Sequence, residues 1–458
     1  MDALSEKITH VIKQQREFFH SGATLEYEFR HGQLLKLKQV IQKYEKQICE
    51  ALFADLNKSA EESYITEISM VLSEIDYLSR NLKRLMRPKR VMTPLTAMPG
   101  TGKVIAEPYG CVLIIAPWNY PFQLLMNPLV GAMAAGNTAV LKPSPQSANT
   151  SSIINRIIKE AFSERYIALF EGDIEVNQDL LANRFDYIFF TGGLKFGSYV
   201  AECAAKFLTP VTLELGGKSP CIVAPEANIA LAAKRIVWGK MLNAGQTCIA
   251  PDYILVHESV RSELIKQLKI NIVDHFGANP EVTPHYPRII SQNAVERLAE
   301  LMKSSGTVLF GGNLNKENRY FSPTILADPD PQSRVMQEEI FGPILPILSY
   351  KTIQEAISMI NSREKPLALY YFGGKEEARE VTRKTSSGGV CINDTILHVG
   401  NRNLPFGGVG QSGMGRYHGK HSFLTFSNLK GHHRSFTFAD FKFRYAPYKL
   451  PEFLKRFL

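Results

Sequence analysis

The amino-acid sequence predicts an α/β fold, because short apolar runs alternate with longer helical segments beyond the first hundred residues. Residues 111–116, 138–141 and 187–190 are short, largely apolar runs, which are typical of strands buried on both faces. Residues 121–135 and 147–162 lie between these runs and have the length of crossover helices. Repeated βαβ units of this kind predict a mostly parallel sheet with helices on both of its faces.

Length and composition predict a globular protein with more than one domain. A chain of 458 residues exceeds what one hydrophobic core supports, so two or three domains are expected. The excess of 53 basic over 44 acidic residues is mild for this length, and we expect no nucleic-acid partner. Six cysteines without paired spacing argue against a metal site and a disulfide framework. They favour a reducing, cytoplasmic location, and no signal peptide or membrane-spanning run is evident.

The first ninety residues are helical in character. Apolar residues recur at three- and four-residue intervals through residues 34–48 and again through 65–78, which predicts amphipathic helices. The turn Pro99-Gly100-Thr101-Gly102 separates this region from the first strand.

A glycine-rich turn follows the third strand, with the sequence Thr191-Gly192-Gly193-Leu194-Lys195-Phe196-Gly197. We expect it to lead into a helix at Ser198. A turn of this kind before a helix N-terminus suits a phosphate group, because free N–H groups and the helix dipole both favour an anion. Its spacing is not GxGxxG, so an ordinary tight turn is the alternative interpretation.

Two further turns predict covalent catalysis. Cys248 ends the segment Asn243-Ala244-Gly245-Gln246-Thr247-Cys248, and Glu214 lies shortly upstream in the segment 213–220. A thiol and a carboxylate placed on loops form a nucleophile and a base: sulfur attacks an electrophilic carbon, and the carboxylate activates water to release the product. The alternative for either residue is a structural role, which is the common fate of cysteines in intracellular proteins.

These motifs together resemble those of the aldehyde dehydrogenase superfamily, and most closely its compact class 3 branch, which includes fatty-aldehyde dehydrogenases. The resemblance runs in order through nearly the whole chain. Its matching segments are Pro117-Trp118-Asn119-Tyr120-Pro121, Leu141-Lys142-Pro143-Ser144, residues 213–220, residues 243–248, Glu338-Glu339-Ile340-Phe341-Gly342-Pro343 and Pro405-Phe406-Gly407-Gly408.

The resemblance implies a role for each of three residues. Cys248 matches the family's nucleophile, which forms a thiohemiacetal with the aldehyde, passes hydride to the nicotinamide and becomes a thioester. Asn119 matches the donor to the developing oxyanion, an interaction that lowers a barrier by roughly 3–4 kcal/mol. Glu214 matches the general base for hydrolysis, and burial would raise its pKa towards neutrality.

The resemblance also implies that the cofactor is NAD or NADP. Glu338 is the immediate neighbour of the expected ribose ligand Glu339 and could be confused with it. Two departures leave the choice of cofactor open: Pro145 stands where NAD-selective members commonly have a glutamate, and Gly193 stands where many have serine. The residues expected to hold the cofactor are Trp118, Lys142, Ser144, Gly192, Gly197, Glu339 and Phe341.

The expected reaction is oxidation of an aldehyde to its carboxylate. The second hypothesis is an acylating enzyme that transfers the acyl group to CoA or phosphate, and the third is a non-catalytic binding protein. Glu214 favours hydrolysis over acyl transfer. Tyr64, Tyr120, Leu242 and Thr395 are candidates for an apolar substrate funnel. Medium or long aliphatic, aromatic and apocarotenoid aldehydes would each fit such a funnel.

The resemblance divides the chain into three parts. Residues 1–90 and 110–213 form the NAD(P)-binding domain, and residues 214–425 form the catalytic domain. Residues 91–109 and 426–458 form a bridging and oligomerisation element with a C-terminal tail, in which we expect a strand near residues 435–441. The exposed edge of this bridging element could pair with a partner subunit, so a homodimer is expected.

The C-terminal tail combines basic and aromatic residues. Residues 430–458 contain seven Lys and Arg against two Asp and Glu. Two interpretations remain open: peripheral contact with an anionic membrane, or packing of the aromatic rings on a partner subunit. The aromatic and apolar tail residues are Phe436, Phe438, Phe441, Phe443, Tyr445, Tyr448, Phe453, Phe457 and Leu458.

Overall fold

A computed structural model describes residues 3–449, 451–452 and 455 of the chain. The tail residues Phe453, Arg456, Phe457 and Leu458 lie outside the described residues. The α-helices are α1 (Ala3–His20), α2 (Tyr27–Lys43), α3 (Glu45–Leu56), α4 (Ala60–Ser63), α5 (Ser69–Met86), α6 (Gln123–Ala135), α7 (Ala148–Ala161), α8 (Ile174–Ala182), α9 (Leu194–Ala205), α10 (Ile229–Met241), α11 (Arg261–Phe276), α12 (Gln292–Lys303), α13 (Arg334–Gln337), α14 (Ile353–Asn361), α15 (Lys375–Lys384) and α16 (Lys420–Thr425).

The strands complete the predicted α/β fold, which the structure confirms. They are β1 (Lys89–Val91), β2 (Gly100–Pro108), β3 (Cys111–Ile115), β4 (Thr138–Lys142), β5 (Ile167–Leu169), β6 (Tyr187–Thr191), β7 (Val211–Glu214), β8 (Pro220–Val223), β9 (Tyr253–His257), β10 (Thr307–Phe310), β11 (Leu314–Asn315), β12 (Tyr320–Phe321), β13 (Thr324–Ala327), β14 (Ile344–Tyr350), β15 (Ala368–Phe372), β16 (Gly389–Ile392), β17 (Gly413–Met414) and β18 (Ser427–Ser435).

The first sheet has the strand order β17-β7-β6-β3-β4-β5. Only β17 runs antiparallel to its neighbour. Strand β3 is wholly buried, as its continuous apolar run predicts. Lys142 ends β4 and Glu214 ends β7. Both residues therefore lie at the carboxyl edge of the sheet, where open parallel sheets bind their ligands.

The second sheet has the order β10-β13-β14-β9-β8-β15-β16, and every pair except β10–β13 is parallel. Two short strands, β11 and β12, form a separate hairpin. The division of the chain at residues 213 and 425 stays a prediction, because β17 returns from the C-terminal part to pair with β7 of the first sheet.

The third sheet is antiparallel, in the order β1-β2-β18. The expectation of a strand near residues 435–441 is wrong: the strand is Ser427–Ser435, paired residue by residue with Pro108–Gly100. The Phe436 N–H donates one further hydrogen bond to the Pro99 carbonyl (3.0 Å). Pairing ends there because Pro99 has no N–H to donate in return.

Among the N-terminal helices, α1 contacts β3 and β4 of the first sheet, whereas α2 and α5 pack on α6. These helices depart from the predicted ones in two places. The run 34–48 is divided at Tyr44, whose backbone leaves the helical region between α2 and α3. The second run begins with a π-helical turn, Tyr64–Ile68, before α5. Helix α9 begins at Leu194 and not at the expected Ser198, so the glycine-rich turn is shorter than predicted.

Candidate active site

The loop that carries Cys248 begins in a left-handed turn. Helix α10 ends at Met241, and Asn243 and Ala244 then have φ values of 50° and 51°. The left-handed region costs a residue with a side chain roughly 1–2 kcal/mol. Gly245 continues the turn at φ 76°, and a Cβ there would lie 2.5 Å from the carbonyl carbon of Gly342. The surrounding structure thus holds the turn in a conformation that its sequence does not favour.

Hydrogen bonds join Asn119 to this loop. The Asn119 Nδ2 atom donates to the Gln246 carbonyl (3.0 Å), and Asn243 Nδ2 donates to the Asn119 carbonyl (2.7 Å). Tyr120 and Thr247 share a further hydrogen bond between their hydroxyls (2.7 Å). Two motifs more than one hundred residues apart in the sequence are therefore brought together.

The Gln246 side chain fixes the loop from the other side. Its Nε2 donates to the carbonyls of Asn243 (3.1 Å) and Arg288 (3.0 Å), and its Oε1 accepts from the Ile290 N–H (2.9 Å). All of its polar atoms are used, and the side chain is fully buried. The loop before Cys248 is consequently held by main-chain and side-chain contacts alike.

Glu214 is a buried carboxylate with no hydrogen-bond partner among the described residues. Only 3% of the residue is exposed. Burial raises the Glu214 pKa well above its ordinary value, and the nearby Arg416 charge offsets this only in part. A Cβ on Gly407 would lie 2.8 Å from Glu214 Oε1, so only glycine leaves room for this carboxylate. An unpartnered carboxylate of raised pKa is typical of a catalytic acid or base.

The Cys248 thiol is half-buried. Its pKa is raised, first by burial and then by the carboxylates of Glu339 and Glu214. The thiol therefore holds its proton more firmly than an exposed cysteine does.

Glu339, and not Glu338, lies towards this site. A Cβ on Gly216 would lie 2.5 Å from Glu339 Cδ, which places the Glu339 carboxylate against that glycine. Burial raises the Glu339 pKa to about 8, and a backbone hydrogen bond from Gly217 lowers it in part. Glu338 instead accepts from Arg334 Nε (2.9 Å) at the surface.

Two aromatic side chains of the predicted cofactor set meet beside Glu339. The rings of Trp118 and Phe341 pack edge to face, with their centroids 5.4 Å apart. Phe341 adopts a left-handed φ of 51°. This unusual backbone brings together two residues that lie far apart in the sequence.

The predicted phosphate turn lies at the N-terminus of α9. Gly193 is the N-cap residue, and a Cβ there would meet no atom within 4 Å. A Cβ on Gly192 would lie 2.5 Å from the Phe190 ring, and one on Gly197 would lie 2.6 Å from Leu215. Gly192 and Gly197 therefore permit close packing, while Gly193 borders open space before the helix N-terminus.

Lys142 and Ser144 lie at the end of β4. Lys142 is 1% exposed, and its Nζ donates to the Pro143 carbonyl (2.8 Å). Burial lowers its pKa to about 8. The Ser144 hydroxyl accepts from the Gln146 N–H (3.3 Å) and caps the turn that follows. Pro145 is exposed next to them.

A groove of about 1480 Å³ passes Glu339 and Phe341 and reaches the start of α9 at Leu194. Gly216 and Gly217 form its floor. A free helix N-terminus, a carboxylate and an aromatic ring fit, in turn, a pyrophosphate, a ribose and a nicotinamide. The residues present therefore fit NAD or NADP.

The four funnel candidates differ in exposure. Tyr120 and Thr395 are buried, Leu242 is half-buried, and Tyr64 is 42% exposed. The Thr395 hydroxyl donates to the Arg235 carbonyl (2.8 Å). Thr395 thus has a local structural contact, and the funnel itself stays a prediction.

Sequence analysis missed the charged residues behind the site. Lys58 and Glu67 form an ion pair at 2.6 Å, and both side chains are completely buried. Glu67 and Glu74 lie seven residues apart, on the same face as buried Val71 and Leu78. The two glutamates occupy positions of the helical repeat that are otherwise apolar, and this pattern could have indicated buried charges from the sequence. A buried charge requires a partner, so an ion pair could have been expected here.

Comparison with known proteins identifies the family. The family model described as "Aldehyde dehydrogenase family" matches residues 1–431. A 4,4'-diaponeurosporen-aldehyde dehydrogenase of Staphylococcus aureus is 48% identical over 446 residues, which cover 96% of this chain and 97% of that protein. Aldehyde dehydrogenase family 3 member A2 of Mus musculus is 48% identical over 420 residues, which cover 92% of this chain and 87% of that protein.

Solved structures agree. The substrate-bound state of Staphylococcus aureus AldH matches with a TM-score of 0.93 and 46% identity, covering 98% of both chains. An NAD+ complex of a Bacillus cereus aldehyde dehydrogenase matches with a TM-score of 0.85 and 26% identity, covering 94% of this chain and 89% of that one. An NADP-dependent Escherichia coli enzyme matches with a TM-score of 0.87 and 25% identity, covering 94% of this chain and 91% of that one. The chain therefore belongs to the aldehyde dehydrogenase family and is an enzyme that oxidises aldehydes.

Proposed function

We propose that this enzyme converts an aldehyde to its carboxylate with NAD or NADP, through a covalent intermediate on Cys248. The observation that carries the proposal is the unpartnered, buried Glu214 carboxylate, whose charge acts on the Cys248 thiol. A carboxylate kept free of hydrogen bonds inside the protein is available to a water molecule. Hydrolysis of a thioester needs such a base, so Glu214 favours the carboxylate product over acyl transfer to CoA.

Cys248 and Asn119 act on the two ends of the aldehyde carbonyl. The Cys248 thiol first loses its proton to solvent, and the thiolate sulfur then bonds to the aldehyde carbon; the carbonyl electron pair moves to the oxygen, which gains negative charge in the resulting thiohemiacetal. Asn119 Nδ2 makes one hydrogen bond among the described residues, to the Gln246 carbonyl, so its second N–H is available to that oxygen. The rigid loop fixes this donor before the reaction begins, which is what makes an oxyanion donor effective.

Glu339, Phe341, Trp118 and the turn before α9 would hold the cofactor, with Lys142 and Ser144 at its adenosine end. NAD or NADP bound by these residues would supply the acceptor for the hydride that leaves the former aldehyde carbon. Glu214 then removes a proton from the water that attacks the Cys248 thioester, and the sulfur departs as the leaving group. Burial raises the Glu214 pKa, so this carboxylate takes up a proton more readily than an ordinary glutamate does.

The substrate we propose is an aldehyde with a large apolar group. Support comes from the relatives, one of which is named for an apocarotenoid aldehyde and matches 97% of its length. Medium or long aliphatic and aromatic aldehydes belong to the same proposal. A kcat/KM series over aldehydes of increasing length, with both cofactors and with and without CoA, tests it. We expect carboxylate as the product without CoA and no turnover by Cys248→Ala; a CoA thioester as the main product would contradict the proposal.

A homodimer and a cytoplasmic location complete the proposal. The edge of β18 that does not face β2 has no strand partner among the described residues, and such an edge readily pairs with a second copy. Within the described ranges, every helix is too short or too polar to cross a bilayer. Peripheral contact of the basic, aromatic tail with a membrane is the alternative use of this region.

A further inference from the structure

Glu62 approaches the left-handed turn before Cys248 from a different part of the chain. It lies in the short helix α4, where the Ser59 hydroxyl accepts from the Glu62 N–H (3.2 Å). The Glu62 Oε1 atom accepts a hydrogen bond from the Asn243 N–H (2.8 Å). This contact joins the N-terminal helical region of the chain to the loop that carries the thiol.

The Asn243 N–H needs such an acceptor. Asn243 and Ala244 are both left-handed, so the turn does not continue the hydrogen-bonding pattern of α10. The Asn243 side chain meanwhile donates to the Asn119 and Gln246 carbonyls (2.7 and 3.2 Å). A shift of Asn243 would therefore move both the thiol loop and the Asn119 loop.

Two charged residues, Lys58 and Glu67, act on the Glu62 carboxylate. Lys58 lowers its pKa and Glu67 raises it, but burial is the largest influence and raises the Glu62 pKa to about 7. Burial first, and then the Glu62 charge, raise the pKa of Tyr120. Glu62 thus changes charge in the neutral range at a point of contact with the nucleophile loop.

We propose that Glu62 is a positioning residue for the nucleophile, which holds the Asn243 turn so that the Cys248 thiol and the Asn119 amide face the same aldehyde. The proposal rests on the role of Cys248 given above. Hydrogen bonds to an ionised carboxylate are stronger than those to a neutral group. Protonation of Glu62 therefore loosens the turn and slows formation of the thioester, without entering the chemistry itself.

Three variants test the proposal: Glu62→Ala, Glu62→Gln and, as a matched control on the same helix, Glu61→Ala, whose side chain is exposed. The first measurement is the rate constant of the cofactor-reduction burst between about pH 5.5 and about pH 8.5. The second is alkylation of Cys248 by iodoacetamide in the cofactor-free enzyme, read by peptide mass spectrometry with half-buried Cys391 as the internal reference.

We expect Glu62→Ala to slow the burst by roughly tenfold or more and to change the Cys248 alkylation rate relative to that of Cys391. Glu62→Gln keeps an acceptor oxygen, so its burst at high pH should stay within about threefold of the wild type. It should also lack the rise in burst rate near neutral pH that we expect of the wild type. Glu61→Ala should match the wild type throughout.

The result that overturns the proposal is a Glu62→Ala enzyme with the wild-type burst and alkylation rate. A Glu62→Gln enzyme that keeps the full wild-type pH dependence overturns it equally, and this arm decides the matter if Glu62→Ala does not fold. The Cys248→Ala enzyme distinguishes a failure of the proposed function from a failure of this inference. Turnover by Cys248→Ala contradicts the proposed function, whereas an inactive Cys248→Ala enzyme beside an unaltered Glu62→Ala enzyme contradicts only this inference.

Discussion

The Lys58 ammonium and the Glu67 carboxylate form an ion pair at 2.6 Å in which neither side chain is exposed. Glu67 Oε2 also accepts from the backbone N–H groups of Phe122 (2.9 Å) and Gln123 (3.2 Å), at the start of α6. Lys58 Nζ lies 3.4 Å from the Asn119 carbonyl. The pair thereby fastens the Asn119 loop to the N-terminal helices, directly behind the candidate active site.

Removal of one member of this pair should be costly. Lys58→Met leaves a buried carboxylate without its partner, so we expect the free energy of unfolding to fall by about 3–5 kcal/mol. Denaturant unfolding measures this change. The matched control is Lys46→Met, which breaks the exposed pair with Glu50 and should cost about 1 kcal/mol or less. Equal losses in both variants would contradict the structural role of Lys58.

Division of labour between Cys248 and Glu214 is testable by rapid mixing. If Glu214 serves only hydrolysis, Glu214→Gln should release a burst of reduced cofactor, about one per active site, and then stall. Cys248→Ala should show neither burst nor turnover, a loss of roughly 10⁴-fold or more. Absence of any burst from Glu214→Gln would show that this residue is needed before the thioester forms.

The raised pKa of Glu214 predicts how stability depends on pH. Well below the ordinary glutamate value of about 4.3 the group is neutral in both folded and unfolded chains and contributes nothing. As pH rises past that value the unfolded chain ionises first, so burial of Glu214 destabilises the fold increasingly up to the raised pKa. Glu214→Gln should therefore raise the melting temperature near pH 8 and leave it unchanged near pH 4.

Glu160→Gln is the control of opposite sign for this experiment. Glu160 is hydrogen-bonded by Lys43 and Tyr44, which lower its pKa. Its contribution to the free energy of unfolding is fully present above the pKa of the unfolded chain and is lost as pH falls through the lower pKa of the folded chain. Glu160→Gln should thus lower the melting temperature near pH 8 and not at low pH. A Glu214→Gln enzyme with the same pH dependence would contradict the buried carboxylate.

Pro145 predicts relaxed cofactor choice. Without a carboxylate at this exposed position, a 2′-phosphate meets no local repulsion, and Lys142 offers a positive charge nearby. We expect kcat/KM for NAD and NADP to differ by less than about a hundredfold, or ~2.7 kcal/mol. Pro145→Glu should shift the ratio towards NAD by roughly tenfold or more. A wild-type preference for NAD above about a thousandfold would refute this expectation.

The C-terminal tail gives the last prediction. Phe436, Phe438, Phe441, Tyr445 and Tyr448 are between 43% and 80% exposed, in the segment that follows β18. We expect full-length enzyme to be a dimer by light scattering and a chain ending at Ser435 to dissociate more readily, because rings of this kind pack on a partner subunit. Co-sedimentation with anionic vesicles at low salt, but not at high salt, would favour the membrane alternative instead.

The sequence by itself determined the class of fold, and it predicted the residues of the candidate site. Strands buried on both faces show as continuous apolar runs, so β3 and β6 were predictable without coordinates. Local turns with unusual chemistry, such as the one that ends at Cys248, are visible because few residue types allow both the turn and the reaction. The family resemblance that these motifs supported was confirmed.

Only the tertiary structure decided which distant groups meet. Nothing near Glu62 in the sequence indicates Asn243, since the contact joins residues 181 positions apart. The choice between Glu338 and Glu339 also required coordinates, because adjacent side chains leave the backbone in different directions. The error over the last strand has the same origin: its bounds depend on where Pro99 ends the pairing, and that partner lies in another region of the chain. Local patterns encode periodicity and turn chemistry, whereas pairing register and buried charge depend on long-range packing.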